Sequence, residues 1–274
     1  MSDIVLDPNQ YREYLKYKYS LFADVGEVCK NLLDTDIKVK YYIESRLSKE
    51  AQNKFDIGYF PNNNNIKLLI DKIGFDRFSK LIKKDCFIYE KKVFDGSFYM
   101  EEYVSTLNNH NMIIPYKDLY GNTIAFIGRT ILSEDERKKD NIQKYKFTRF
   151  NKSLHLFGFD KAIDSIRKTK KVIIVEGQLD CITCHDHGVC NVVALGGVSL
   201  SKHQFALLRR YADIFYLLLD NDDSGQNAQE KIINTYSKRN VRIIKLKLPN
   251  ECKDIDQYLR TYGIREGVLL TDVL

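Results

Sequence analysis

Four short apolar segments in the C-terminal third constrain the fold of this chain more than any other feature. A continuous run of β-branched residues is typical of a strand that is covered on both faces. The predicted strands are Lys171–Val175, Asn191–Leu195, Ile214–Leu219 and Val241–Leu246, and the predicted helices between them are Leu179–His187, Ser201–Arg210 and Gln226–Ser237. This alternation with short connections predicts parallel β-α-β units, and therefore an α/β fold with a central parallel sheet flanked by helices.

Acidic residues follow three of these four predicted strands. In chain order they are Glu176 and Asp180 after the first strand, Asp220 and Asp222 after the third, and Asp254 and Asp256 after the fourth. Because ligands bind beyond the carboxyl ends of parallel strands, we expect these side chains to meet at one edge of the sheet. Clustered carboxylates repel one another unless cations neutralise them. Oxygen donors without histidine favour Mg²⁺ or Mn²⁺ over zinc, so the pattern predicts a divalent-metal site.

The loop that begins at Asp220 has three other interpretations. An EF-hand would need a bidentate Glu at its twelfth position, where this chain has Lys231. An aspartyl phosphatase would leave Glu176 without a role. A purely structural loop, in which the aspartates only cap a helix, stays open at this point.

The formal net charge of +6 points weakly to a polyanionic partner, and its distribution says more. Residues 137–171 contain twelve Lys and Arg residues against three Asp residues, with Tyr145, Phe147 and Phe150 interleaved. Such a mixture is typical of a groove that neutralises phosphates while it stacks bases. A solvated basic face on a lysine-rich protein is the alternative.

The sequence also predicts where the protein works. The N-terminus lacks a secretory signal, and no apolar run is long enough to span a bilayer, so we expect a cytoplasmic protein without membrane contact. Six scattered cysteines do not suggest a disulfide framework. Cys181 and Cys184 form a C-x-x-C pair inside a predicted helix, and because no second pair exists, we expect no structural zinc.

The first part of the chain carries weaker signals. Helical spacing predicts helices at Asp7–Leu33, Phe75–Ile82 and Tyr99–Leu107. We expect the chain to divide into a mixed α/β basic subdomain over residues 1–170 and a metal-binding subdomain over residues 171–274, which makes it α+β overall.

The acidic motifs resemble the Toprim domain shared by bacterial-type primases, topoisomerases and some nucleases. The matching residues are Glu176-Gly177-x-x-Asp180, Asp220-x-Asp222-x-x-Gly225 and Lys253-Asp254-x-Asp256. Upstream, the chain is similar to the catalytic core of DnaG-type primases of bacteria and phages. The segments that carry this similarity are Tyr41–Ser48, Phe55–Pro61, Ile114–Asp118, Gly121–Arg129, Lys144-Tyr145 and Phe150–Gly158.

The resemblance implies a DNA primase, a DNA-directed RNA polymerase and nucleotidyltransferase that makes short RNA primers on single-stranded DNA during replication. It implies two or more Mg²⁺ or Mn²⁺ ions, and ribonucleoside triphosphates as substrates. The implied catalytic residues are Glu176, Asp180, Asp220 and Asp222, the implied metal ligands are Glu176, Asp220, Asp222, Asp254 and Asp256, and the implied nucleotide or template contacts are Arg129, Lys144, Tyr145 and Lys152.

Departures from the family pattern leave alternatives. The N-terminus lacks the paired cysteines of the family's zinc-binding domain, and little chain follows the metal motifs for a helicase-binding tail. A replicative helicase or a separately encoded zinc-binding module is therefore a candidate partner, and such a short core suggests a phage primase. A Toprim nuclease and a non-catalytic single-stranded DNA-binding module remain alternatives. A topoisomerase is disfavoured because no region supplies its tyrosine-bearing domain.

Overall fold

The structure of the protein is a computed structural model that describes residues 7–84, 88–94 and 99–264. The chain forms two compact units. The first unit contains the chain up to residue 45 together with residues 52–116 and 122–150. The second unit contains residues 46–51 and 117–121 and the chain from residue 151 onward.

The first unit begins with helix α1 (Pro8–Asn31). The Asp7 carboxylate caps this helix by accepting hydrogen bonds from the backbone N–H groups of Asn9 and Gln10. One face of its second half is buried, and the centroids of the Phe22 and Phe126 rings lie 5.3 Å apart. This helix therefore covers the core of the first unit.

Further elements of the chain up to residue 150 are α2 (Ile37–Glu44), α3 (Lys49–Lys54), β1 (Gly58–Tyr59), α4 (Lys67–Ile73), α5 (Phe75–Lys84), β2 (Ile88–Phe94), β3 (Tyr99–Ser105), β4 (Met112–Lys117), β5 (Thr123–Arg129), α6 (Glu134–Lys139) and β6 (Tyr145–Phe147). Short 3₁₀ turns occur at Leu33–Thr35 and Asn63–Asn65. One sheet has the strand order β1-β4-β5-β6, and β2 and β3 form a separate antiparallel pair.

The predicted helix at Tyr99–Leu107 is wrong, because Tyr99–Ser105 is strand β3. The segment pairs antiparallel with β2 in a continuous register from Ile88 opposite Ser105 to Phe94 opposite Tyr99. Hydrogen bonding to the neighbouring strand overrides a weak local preference for helix.

The second unit contains the parallel sheet that the sequence predicts. Its elements from residue 151 onward are α7 (Phe159–Thr169), β7 (Lys171–Val175), α8 (Gln178–Asp186), β8 (Val192–Ala194), α9 (Lys202–Arg209), β9 (Ile214–Leu218), α10 (Asp223–Tyr236), β10 (Arg242–Lys245) and α11 (Ile255–Tyr262), with a 3₁₀ turn at Lys152–Leu154. The strand order is β10-β9-β7-β8, and every pair is parallel. The predicted α/β architecture is thereby confirmed.

Both faces of this sheet are buried, because successive residues of β7 such as Ile173 and Ile174 are both fully buried. Ile174 in β7 and Leu217 in β9 are fully buried, and Ala162 and Ile166 bring helix α7 into the same core. This compact unit therefore includes residues that precede the expected boundary after residue 170. The expected division of roles at that boundary stays a prediction.

No helix within the described ranges combines the length and the apolar character that crossing a bilayer requires.

The central strand β7 should contribute strongly to stability. Ile174→Ala removes a fully buried side chain, so we expect it to lower the free energy of unfolding by about 3 kcal/mol, as measured by urea denaturation. The matched control is Ile37→Ala, because the Ile37 side chain is 80% exposed. Equal effects of the two substitutions would contradict the placement of Ile174 in the core.

Candidate active site

The acidic residues follow the carboxyl ends of three parallel strands in the second unit. Glu176 directly follows β7, the Asp220 loop follows β9, and Asp254 immediately precedes α11 after β10. Three helices, α8, α10 and α11, begin in these same loops. The sheet thus brings acidic side chains from distant parts of the sequence to one edge, which we call the acidic edge.

Glu176 has one buried carboxylate oxygen without a hydrogen-bond donor among the described residues. Burial and the negative charges of Asp220 and Asp222 raise the pKa of Glu176 to about 7. Its Oε2 atom is buried and accepts no hydrogen bond from any residue within the described ranges. Burial of a hydrogen-bond acceptor without a donor lowers the free energy of unfolding by about 1–3 kcal/mol. A bound cation would remove this cost, so Oε2 is a candidate metal ligand.

Asp180 is buried behind this edge and is held by the backbone. Its Oδ2 atom accepts a hydrogen bond from Gly177 N at 2.9 Å, and its Oδ1 atom lies 3.4 Å from Asp256 N. Burial and the charges of Asp254, Asp220 and Asp256 raise the pKa of Asp180 to about 8. Asp180 therefore connects the loop after β7 to the start of α11.

Asp256 differs from the other carboxylates because cationic side chains surround it. Arg46 Nη2 lies 2.5 Å from Asp256 Oδ2, Arg260 Nη2 lies 3.1 Å from the same oxygen, and Thr183 Oγ1 donates to Oδ1 at 2.7 Å. Burial opposes its ionisation, but Arg46, Thr183 and Arg260 outweigh burial and hold the pKa of Asp256 below its usual value. Both oxygens of Asp256 already have donors from the protein.

Arg46 is a site residue that the sequence did not reveal as such. It lies in residues 46–51, which belong to the second unit although they come from early in the chain. The same segment contacts helix α8, because Ser48 N donates to Asp186 Oδ2 at 2.9 Å. Segment 46–51 therefore touches both α8 and α11, and no local pattern could reveal a contact over 210 positions.

The loop after β9 is tight and depends on Gly225. Asp222 caps α10 by accepting a hydrogen bond from Gly225 N at 2.9 Å. A Cβ atom on Gly225 would lie only 2.1 Å from the Asp220 carbonyl oxygen, so only glycine fits there. Asn221, also missed by the sequence interpretation, connects this loop to the loop before Asp254, because Asn221 N donates to Lys253 O at 2.7 Å.

Lys152 lies in the second unit, beside the turn that follows β8. Its Nζ atom donates to Gly196 O at 2.6 Å, and Gly196 N donates to Glu176 O at 2.9 Å. Gly196 adopts a positive φ of 66°, where glycine is favoured. Lys152, a predicted nucleotide or template contact, is thus linked to the backbone of Glu176 through Gly196.

The other predicted nucleotide or template contacts are in the first unit. Arg129 is 6% exposed and donates to Tyr42 Oη at 2.7 Å and to Tyr145 Oη at 2.5 Å. Its guanidinium also lies over the Tyr145 ring, 4.9 Å from the centroid, while Lys144 Nζ lies 5.9 Å from that centroid. Tyr42 was not predicted as a site residue, although it lies in the segment Tyr41–Ser48 that carries the family resemblance.

The donor chemistry of the acidic edge fits a hard divalent cation. The buried Glu176 oxygen without a donor lies close enough to Asp220 and Asp222 for their charges to raise its pKa. Carboxylate oxygens are the ligands that Mg²⁺ prefers. Within the described ranges, no three Asp, Glu, His or Cys side chains are already grouped around one cation position. A metal site is therefore supported by the chemistry of the carboxylate oxygens and not by a preformed group of ligands.

Two family models match the chain in succession. Residues 29–163 match the model described as DNA primase catalytic core, N-terminal domain, and residues 173–259 match the model described as Toprim-like. A DNA primase of Lactococcus lactis is 31% identical over 240 residues, which cover 85% of this chain and 35% of that protein. A DNA primase of Clostridium acetobutylicum is 28% identical over 270 residues, which cover 95% of this chain and 42% of that protein.

Solved structures agree with this fold. The primase of Aquifex aeolicus, solved with its zinc-binding and RNA polymerase domains, gives a TM-score of 0.74 at 24% identity and covers 96% of this chain and 60% of that one. A DnaG primase catalytic domain bound to single-stranded DNA gives a TM-score of 0.72 at 21% identity, with coverages of 92% and 79%. The chain belongs to the family of DnaG-type primase catalytic cores. It spans well under half the length of the two curated relatives.

Arg46 should stabilise the second unit through Asp256. Arg46→Ala leaves a buried carboxylate with one cationic partner fewer, so we expect the free energy of unfolding to fall by about 3 kcal/mol. Lys49→Ala is the control, because Lys49 is exposed in the same segment and should change stability by less than about 0.5 kcal/mol. Urea denaturation measures both, and an Arg46→Ala protein as stable as the control would contradict the importance of this ion pair.

Proposed function

We propose that this chain synthesises short RNA primers on a single-stranded DNA template by metal-dependent nucleotidyl transfer. Its relatives are DNA primases, and one solved structure of the same fold is bound to single-stranded DNA. The observation that carries the proposal is the buried, donor-free oxygen of Glu176 beside Asp220 and Asp222. A primase reaction requires the genome and nucleoside triphosphates, so we also propose a cytoplasmic location.

The acidic edge is the proposed catalytic centre. Glu176, Asp220, Asp222 and Asp254 would hold two or more Mg²⁺ or Mn²⁺ ions. Such ions, when bound, activate the attacking hydroxyl and neutralise charge on the leaving phosphates. The side chains of Asp220 and Asp222 approach this position from the tight loop that Gly225 permits.

Asp180 and Asp256 have positioning roles in this proposal. Asp180 fixes the turn at Gly177 and the start of α11, and therefore the spacing of the first and third acidic loops. We assign Asp256 to positioning, although the sequence predicts a metal ligand there, because Arg46, Arg260 and Thr183 already occupy both of its oxygens.

The basic and aromatic residues are the proposed contacts to the nucleotide and the template. Lys152 lies beside the turn next to Glu176, where an ammonium group suits a triphosphate. Arg129 is held rigidly between Tyr42 and Tyr145, which prepares its guanidinium for phosphate binding at a low entropic cost. We propose that Lys144 and Tyr145 contact the same strand.

A primer-synthesis assay tests the proposed function. Single-stranded DNA, labelled ribonucleoside triphosphates and Mg²⁺ or Mn²⁺ should yield short RNA. Asp222→Asn retains an oxygen that can cap α10 but removes a negative charge, so we expect it to reduce synthesis by about 100-fold or more. Asp223→Asn is the matched control, because Asp223 is exposed at the next position, and it should stay within about threefold of the unmodified protein.

Three outcomes of this assay would count against the proposal. Cut template without RNA would favour a Toprim nuclease, DNA binding without either product would favour a non-catalytic module, and full synthesis by Asp222→Asn would refute the assigned site. Addition of a replicative helicase or of a zinc-binding protein to the same reaction tests whether either partner stimulates synthesis.

Glu176 should show a trade-off between activity and stability. Glu176→Gln removes a buried negative charge that Asp220 and Asp222 repel, so we expect a thermal unfolding midpoint equal to or above that of the unmodified protein. Primer synthesis should nevertheless fall by about 100-fold or more. Glu230→Gln, at an exposed position of α10, should change neither quantity. Loss of activity that is accompanied by a lower unfolding midpoint would instead indicate a structural role for Glu176.

A further inference from the structure

The second unit contains an open cavity outside the acidic edge. It has a volume of about 500 Å³ and lies between α9 and the C-terminal end of α10. Its apolar floor includes Phe205 and Tyr236, and its rim includes Lys202, Arg209, Arg210 and Arg239. We call this cavity the α9–α10 pocket.

The four cationic side chains of the rim are exposed. Among the residues that the structure describes, no carboxylate forms an ion pair with any of them. Arg46 and Arg260 of the same unit, by contrast, both form ion pairs with Asp256. Four cations gathered around one cavity repel one another, and a polyanionic ligand would relieve that repulsion.

The floor of the pocket indicates which part of a ligand it can recognise. The rings of Phe205 and Tyr236 stack on each other with centroids 4.1 Å apart and an angle of 12° between their planes. Both residues are only 6% exposed, and Tyr236 Oη donates to Leu200 O at 3.0 Å. Because the two rings stack on each other and are almost fully buried, a nucleobase cannot stack on them. Recognition must come from the cationic rim, which suits phosphate groups.

Two cations of the rim, Arg209 and Arg239, lie toward the end of the sheet opposite the acidic edge, whereas Lys202 begins helix α9. Helix α9 ends at Arg209, shortly before β9 begins, and Arg239 follows α10 and precedes β10. Both cations are therefore near the amino ends of parallel strands, whereas the acidic residues follow the carboxyl ends. Arginines at helix C-termini also stabilise the helix dipole, by about 0.3–1 kcal/mol each. That contribution alone does not require four cations around one cavity.

We propose that the α9–α10 pocket binds the phosphate backbone of a nucleic-acid strand without sequence preference, away from the acidic edge. This proposal rests on the proposed function, because a primase must hold template or product strand beyond the few nucleotides at its catalytic centre. These contacts would increase the number of nucleotides that the protein binds, and they would not take part in the chemistry.

Salt-dependent binding of single-stranded DNA tests this pocket. A fluorescently labelled oligonucleotide is titrated at several NaCl concentrations with the unmodified protein, with Arg209→Ala/Arg239→Ala, and with the control Lys49→Ala/Lys231→Ala. The control removes two positive charges from exposed positions of the same unit outside the pocket. If each arginine contacts one phosphate, its loss should reduce the slope of log affinity against log salt by about 0.7, so the double variant should lose about 1.4 in slope.

The expected result is a loss of at least about fivefold in affinity at 0.1 M NaCl for the pocket variant, with the control unchanged. Equal losses in both variants, or no loss in either, would overturn the proposal. Arg209→Gln/Arg239→Gln serves as a second variant, and thermal unfolding confirms that each protein is folded. Binding of a polyglutamate peptide can be measured with the same variants. If loss of Arg209 and Arg239 weakens peptide binding but not DNA binding, the pocket binds an acidic protein and the proposal is overturned.

Primer synthesis, measured in parallel, separates this proposal from the proposed function. The pocket variant should need more template for half-maximal synthesis while its maximal rate stays the same, since no pocket residue lies at the acidic edge. A lower maximal rate with an unchanged template requirement would contradict a strand-holding role. If the unmodified protein makes no primers, the proposed function fails, and the salt-slope comparison still decides the pocket.

Discussion

Electrostatic repulsion among carboxylates at the acidic edge is the constraint on which the rest of this structure depends. Three parallel strands of one sheet deliver their following loops to the same place, so six acidic residues are concentrated there. Burial and mutual repulsion raise the pKa values of Glu176 and Asp180 to about 7 and about 8. The fold must offset this cost before any ligand is bound.

The surrounding structure offsets the repulsion in two ways. Helices α8, α10 and α11 all begin at this edge, and the partial positive charge of a helix N-terminus favours nearby anions. The side chains of Asp222 and Asp254 cap two of these helices, and that of Asp180 accepts a hydrogen bond from Gly177 N at the start of the third. In addition, Arg46 and Arg260 neutralise Asp256. Within the part of the chain that the structure describes, Glu176 Oε2 has no hydrogen-bond donor, and this difference separates the proposed ligand position from the supporting carboxylates.

Much of the second unit could be predicted because its signals are local. The β-branched run at residues 171–175 predicts strand β7 with its observed bounds, and Ser201 caps α9 as its position suggests, by accepting a hydrogen bond from Gln204 N. The positions of the acidic residues follow from the same pattern, since a parallel sheet has only one carboxyl edge. Regular alternation of strand and helix leaves few other topologies.

The features that escaped prediction depend on contacts between distant segments. Strand β3 was mistaken for a helix, because its pairing with β2 and not its own composition decides its conformation. Arg46 reaches Asp256 over 210 positions, and Asn221 joins two acidic loops through a backbone contact. Sequence spacing also cannot distinguish a carboxylate that is free for a ligand from one that is already paired. That distinction between Glu176 and Asp256 required the three-dimensional structure.

The most direct test of the account is anomalous diffraction from crystals soaked in Mn²⁺. We expect a peak at the acidic edge, next to oxygens of Glu176 and of Asp220 or Asp222, with Asp256 still paired to Arg46. A fully soaked crystal without a peak at this edge, or with Mn²⁺ bound to Asp256 in place of Arg46, would contradict it.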